Sequence, residues 1–205
     1  MNNRGMTMLE VMFAVSIFTI VMAVIFGMGI GFGDTAEVEF LKATATDEAR
    51  RAMQSLIPDL RQAVRSSINW AELPGEVLMY SVAEDLDGNG TAVDQSGRLE
   101  VSAPRLVSRD TEDANGDLLS VAQLIVTQGE TVRVLANNLS PDAEAPDAEG
   151  NFGTTEDTNN NGRLDQGIWF EPWERGLRVT IQTQGTTRRG HVLRTTVQEV
   201  VFPMN

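Results

Sequence analysis

The chain has 205 residues, a formal charge of −13, one lysine (Lys42) and no cysteine. The absence of cysteine excludes a disulfide framework, a thiolate metal site and a thiol nucleophile. The acidic surface argues against nucleic acid or anionic lipid as a broad binding partner, because those call for clustered Lys and Arg.

Residues 1–5 are short and polar, with one positive charge at Arg4 and a glycine at Gly5. An uncharged apolar run of 22 residues, 11–32, follows. As a helix it is roughly 33 Å long, enough to cross a hydrocarbon core of about 30 Å. A secretory signal would place its cleavage point after the apolar run. Here the plausible cleavage point, between Gly5 and Met6, comes before it, so the apolar segment would stay with the mature chain. Arg4 on one side and Asp34, Glu37 and Glu39 on the other predict an N-terminus inside and a C-terminal domain outside. Glu10 lies at the head of this run. An ionisable residue there is costly in hydrocarbon and reads as functional and paired. Gly27, Gly29, Gly31 and Gly33 alternate at the far end; they fit either close packing between membrane helices or a locally weak stretch.

From Thr35 onward, Leu41, Ala45, Ala49, Ala52, Met53, Leu56, Leu60, Ala63, Val64 and Ile68 recur at spacings of three and four. This predicts an amphipathic helix continuing outward to about Ser67 and kinked at Pro58. After Asn69 the texture changes to strands. These are expected at 76–82, 98–102, 105–109, 118–126, 131–135 and 167–170, with a hairpin formed by 176–184 and 190–202. Turns are expected at 85–90 and at the Asn-Gly pair within 113–117. Residues 137–167 form a long acidic stretch of the kind that is functional or disordered. One long helix followed only by strands predicts an α+β class with a mostly antiparallel sheet. The organisation is a leader (1–5), an apolar half-helix (6–33), an amphipathic half-helix (34–68) and a β-rich domain (69–205).

The segment Gly5-Met6-Thr7-Met8-Leu9-Glu10-Val11, followed by the apolar helix, resembles the leader and processing site of the type IV pilin and pseudopilin superfamily. The resemblance implies a pilin-like fold, cleavage after Gly5 by a prepilin peptidase, and methylation of the new Met6 amine. It also implies that Glu10 pairs with the N-terminal amine of a neighbouring subunit, which would neutralise a buried carboxylate and set register. Met6 departs from the phenylalanine frequent at that position, and the apolar run lacks the proline usual in major pilins. Met is tolerated at that position in other members, and the missing proline leans towards a minor subunit or pseudopilin. Leu56, Asp59, Leu60, Arg61 and Ala63, together with residues 134–139 (VLANNL), resemble the larger minor subunits: the J-type pseudopilin of type II secretion or PilW-like minor pilins. Other pilin or pseudopilin subunits, an inner-membrane assembly platform and membrane lipid are the implied partners. The chain is thus read as working by assembly, first in the inner membrane and then in a filament or its tip. A calcium-dependent adhesion module is the competing reading.

Asp157, Asn159, Asn161 and Asp165 stand at positions 1, 3, 5 and 9 of a loop with glycine at position 6 and the Arg163 carbonyl at position 7. This is the first part of a calcium (Ca2+) loop of EF-hand type. Position 12 is Ile168 rather than Glu, leaving Glu171 or Glu174 to supply the last carboxylate. Asp85, Asp87 and Asn89 begin the same way, with Asp94 nearby, but fit a hairpin turn better. His191, the single histidine, has no nucleophile placed near it. Glu171 and Glu174 flanking Trp173 resemble a sugar-cleaving pair only by proximity. Trp169, Phe170 and Trp173 read as core or interface anchors. Arg188, Arg189 and Arg194 form a small basic patch for an acidic partner or a solvated hairpin end.

Overall fold

The computed structural model describes residues 7–110, 116, 118, 122–140, 164 and 166–204, with the backbone alone over 28–33. The chain divides into two compact units, Met1–Leu41 and Lys42–Asn205, and helix α1 (Met8–Arg61) contributes to both.

In the first unit the backbone stays helical through Gly27, Gly29, Gly31 and Gly33. Met8–Gly27 is long and apolar enough to cross a membrane, and none of it is buried inside the protein. Its hydroxyls are satisfied internally: Ser16 Oγ donates to the Met12 carbonyl at 2.8 Å and Thr19 Oγ1 to the Val15 carbonyl at 2.8 Å. Polar groups facing lipid need such partners, since no water is available there.

The second unit is an α+β domain. After α1 come two single 3-10 turns, Arg65–Ser67 and Trp70–Glu72, and then, among the described residues, strands alone: β1 (Leu78–Tyr80), β2 (Arg105–Arg109), β3 (Leu124–Gln128), β4 (Thr131–Ala136), β5 (Ile168–Trp173), β6 (Gly176–Thr186) and β7 (Val192–Val201). They form two antiparallel sheets, in the orders β1-β2-β3-β4 and β5-β6-β7. Two bridges tie the sheets together. Gly75 and Phe170 exchange both backbone bonds (2.9 and 2.8 Å), and Leu139 bridges Thr183. Gly167 sits at this junction with φ +77°, and a Cβ there would lie 2.9 Å from the Ser140 nitrogen, so only glycine fits.

The helical stripe predicted from spacing forms the floor of the core. Its Ala45, Ala49, Ala52, Met53, Leu56 and Leu60 are all buried, and Ile57, outside the predicted stripe, is buried with them. They belong to one cluster with Leu78 and Tyr80 of β1, Val107 of β2, Phe170 of β5 and Val179 and Ile181 of β6, apart from Ala45, whose carbonyl instead accepts a 2.7 Å hydrogen bond from Thr183 Oγ1 on β6. The alanines let the helix backbone come this close.

The helix ends at Arg61 rather than near Ser67. Beyond it the backbone exchanges helical partners for extended ones. Val64 N donates to the Ser81 carbonyl and Met204 N to the Ala63 carbonyl, each at 2.9 Å. The long hairpin matches its expectation closely, with pairs running from Leu177↔Val201 to Thr186↔Val192. Residues 98–102 form only isolated bridges, Val93↔Leu99 and Ala83↔Val101. The strand expected at 118–126 is displaced to Leu124–Gln128, and that at 167–170 runs on to Trp173. It passes through Pro172, which is tolerated because β5 is an edge strand. The turn expected at 113–117 lies, except for Gly116, outside the described residues.

Phe170 is wholly buried, and Phe170→Ala is expected to cost about 3–5 kcal/mol of unfolding free energy, measured by urea denaturation of the full chain in detergent. Tyr80 is also wholly buried. Burial, and secondarily the charge of Asp59, raise its pKa to about 12 against an ordinary 10.0. The folded chain therefore holds the phenolic proton more tightly than the unfolded chain. Its contribution is complete below pH 10 and is lost as pH rises from 10 toward 12, at up to about 1.4 kcal/mol per pH unit. Tyr80→Phe should remove this alkaline loss while leaving stability at pH 7 nearly unchanged, as parallel urea curves at pH 7 and pH 11 would register.

Candidate assembly and ligand sites

Helix α1 begins with a reciprocal cap. Thr7 N donates to Glu10 Oε2 at 2.8 Å, Thr7 Oγ1 to the same oxygen at 3.1 Å, and Glu10 N to Thr7 Oγ1 at 3.3 Å. This is the T-x-x-E capping box, which satisfies otherwise orphaned donors of the first turn. The sequence carries this signal, but reading Glu10 only as a charge awaiting a foreign partner passes over it. Glu10 is exposed within the single chain, at the head of an apolar helix whose side chains over 11–27 are almost all exposed as well. Gly5 and Met6, the predicted processing pair, lie outside the described residues.

The predicted calcium residues Asp157, Asn159, Asn161, Arg163 and Asp165 also lie outside the described residues. Their neighbours are described. Ile168, at the twelfth loop position, is wholly buried at the start of β5. Glu171 is paired with Arg178 of β6, whose guanidinium carbon lies 3.2 Å from the centroid of the Trp173 ring. The Glu171 carboxylate is therefore committed to a salt bridge beside a cation–π contact. Glu174 is exposed at a positive φ of 51°.

The other acidic loop is described in full. Asp85 accepts from the backbone nitrogens of Gly88 (2.8 Å), Asn89 (3.1 Å) and Gly90 (2.7 Å). These bonds, that from Gly90 foremost, hold its carboxyl below the ordinary range. Asp87 and Glu100 join Asp85, with one carboxylate oxygen from each lying within 4.8 Å of the others. Glu100 is 15 residues away in sequence. The pairing of 93 with 99, and the bond from Glu100 N to the Ala92 carbonyl (3.0 Å), bring it in. No local pattern announces such a residue. Asp94 does not join the cluster; it caps its own turn by accepting from Ser96 N and Arg98 N, each at 2.8 Å.

A third constellation was not anticipated. The register aligns Leu78, Val107, Val126 and Arg133 in one row across β1–β4, and Tyr80, Arg105, Gln128 and Thr131 in the next. Each row starts buried at β1 and turns polar toward β4. Asp59 of α1 meets the polar end. Its Oδ2 accepts from Arg105 at 2.8 Å and from Arg133 at 3.1 Å. Asp59, Arg105, Val126, Gln128, Thr131 and Arg133 line a cavity of about 290 Å³.

His191 is exposed beside the β6–β7 turn, where its backbone nitrogen donates to Thr187 Oγ1 at 3.0 Å. Arg194 Nε donates to Ser140 Oγ at 2.7 Å. Trp169 and Phe170 are buried, as expected of core anchors, whereas Trp173 is exposed.

Comparison with known families matches residues 1–26 to the prokaryotic N-terminal methylation motif. No curated protein and no solved structure matches the chain. The matched segment contains the Thr7–Glu10 cap and most of the apolar helix, and an antiparallel α+β domain follows it. This chain carries the prokaryotic N-terminal methylation motif, the signature of type IV pilins and pseudopilins, ahead of an antiparallel α+β domain.

Proposed function

We propose that this chain is a minor pseudopilin of a type II secretion system, assembling by helix packing into the pseudopilus, at or near its tip. A PilW-like minor subunit of a type IV pilus is the alternative within the same superfamily. The observation that carries the reading is a single carboxylate, Glu10, at the head of an apolar helix and inside the methylation motif. In this reading the chain is first a single-pass protein of the inner membrane, with its N-terminus cytoplasmic. A prepilin peptidase cuts between Gly5 and Met6 and methylates the new amine. The assembly platform then moves the apolar helix from lipid into a bundle of sister helices. There Glu10 is desolvated and takes the N-terminal amine of a neighbour as partner. The lack of proline in the apolar run favours a minor over a major subunit.

Mass spectrometry of the mature N-terminus tests the first step: the expected species begins at Met6 and carries one methyl group, and an intact Met1 would overturn the reading. Glu10→Leu should insert in the membrane normally yet co-assemble with sister subunits at least about tenfold less well, since losing one partner of a buried ion pair costs about 3–5 kcal/mol. Thr7→Ala should cost about 1 kcal/mol of helix stability through the lost cap, without weakening co-assembly. Equal co-assembly of wild type and Glu10→Leu would sink the pairing.

We also propose calcium binding in extracytoplasmic loops, at Asp157, Asn159, Asn161, Arg163 and Asp165 and at the Asp85–Asp87–Glu100 cluster. The converging carboxylates of the second loop favour this. Affinity in the range of extracellular modules, about 10⁻⁴–10⁻³ M, is expected. Calorimetric titration of the full chain should show calcium heat that Asp157→Ala and Asp85→Asn each reduce; a flat titration removes both sites.

A further inference from the structure

The cavity between α1 and the β2–β4 end of the four-stranded sheet has features of a ligand site that the assembly reading does not use. Its walls hold two guanidinium groups and one carboxylate, a formal charge of +1 in a chain of net charge −13. Asp59 offers Oδ2 to both arginines, so one acceptor serves two cations. The Arg105 side chain is only 21% exposed, and its Nε–H is buried without a hydrogen-bond acceptor. The Tyr80 hydroxyl, in the same row of the sheet, is buried with it, and Tyr80 and Arg105 share a side-chain hydrogen bond of loose geometry. A buried donor without an acceptor is costly to leave so. A structural salt bridge alone would need no cavity beside it.

We propose that this cavity binds a monovalent carboxylate, presented by a neighbouring protein as a chain terminus or an acidic side chain. Guanidinium forks match planar carboxylates with paired N–H donors. The net +1 charge suits a monoanion, while Asp59 repels a dianion such as phosphate. Gln128 and Thr131 add a neutral amide and a hydroxyl at the rim. Arg133, 52% exposed, supplies the solvent-side wall through which a ligand enters. Asp59 then acts as an internal competitor, holding both arginines in place while the site is empty. That the neighbour is a sister subunit rests on the assembly reading; the preference for a carboxylate does not.

The test is a titration of the full chain in detergent, followed through the arginine Nε–H resonances, with the Arg105 signal identified by its loss in Arg105→Lys. The probes are N-acetylglycine as a terminal carboxylate, N-acetylaspartate amide as a side-chain carboxylate, and inorganic phosphate, at constant ionic strength set with sodium chloride. A saturable shift of the Arg105 signal with one or both carboxylates is expected, and the tighter of the two names the source. Arg133→Gln, a substitution at an exposed position that should leave the fold intact, is expected to weaken binding about tenfold or more. Asp59→Asn, with unchanged β6–β7 amide signals as the check on folding, is expected to tighten it by a similar factor. A purely structural ion pair predicts the reverse: no saturable shift and no gain in Asp59→Asn. Either of those results, or tighter binding of phosphate than of both carboxylates, overturns the proposal. Assembly plays no part in this measurement, so it can fail with a methylated Met6 and succeed with an intact Met1.

Discussion

Ala45, Ala49 and Ala52 give α1 a shallow face, and β6 lies against it closely enough for Thr183 to hydrogen-bond the Ala45 carbonyl. Much of the second unit follows from that approach. With the helix pressed to β6 at this end, larger residues, Met53, Leu56 and Leu60, fill the interior further along. Both sheets can then share one apolar cluster instead of building two. The sheets are joined through the isolated bridges Gly75–Phe170 and Leu139–Thr183. A bulkier residue at Ala49 or Ala52, both fully buried, would displace the helix and strain those joints as well as the core.

The same helix serves two solvents. Over its first turns it offers apolar side chains outward and satisfies its few polar groups from its own backbone, as lipid requires. From Ala45 onward it buries a narrow stripe and leaves charges such as Asp47, Arg50 and Arg51 in water. Its proline, Pro58, lies only three residues before the helix ends.

What could be read from the sequence follows the range of the interactions involved. The apolar run, the alanine-leucine stripe and the β6–β7 hairpin are set by residues close in sequence, and their periodicities show directly. The helix terminus is set by Ser81 and Met204, which are remote from Ala63 and Val64, so periodicity alone runs the helix too far. The sites divide in the same way. Glu10 stands out because charge is rare beside an apolar run, and Asp85 and Asp87 because they share a tight loop. Glu100, Arg105 and Arg133 acquire meaning only from strand register, which places them beside Asp85 or Asp59. Glu171 shows the same rule: its nearness in sequence to Glu174 and Trp173 carries no chemistry, and cross-strand pairing assigns it to Arg178.

The cap at Thr7 bears on how a filament subunit could be released as well as recruited. A carboxylate that already accepts two hydrogen bonds from its own helix end is not a bare charge waiting in the membrane. When a neighbour's amine approaches in the proposed assembly, Glu10 must share or surrender bonds it holds, so docking is an exchange of partners rather than a capture. The net gain is smaller than the ion pair alone would give, and the departing subunit has somewhere to return its charge. In that assembly Thr7 would thus tilt the balance between joining and leaving, with one hydroxyl tempering the grip of the proposed contact.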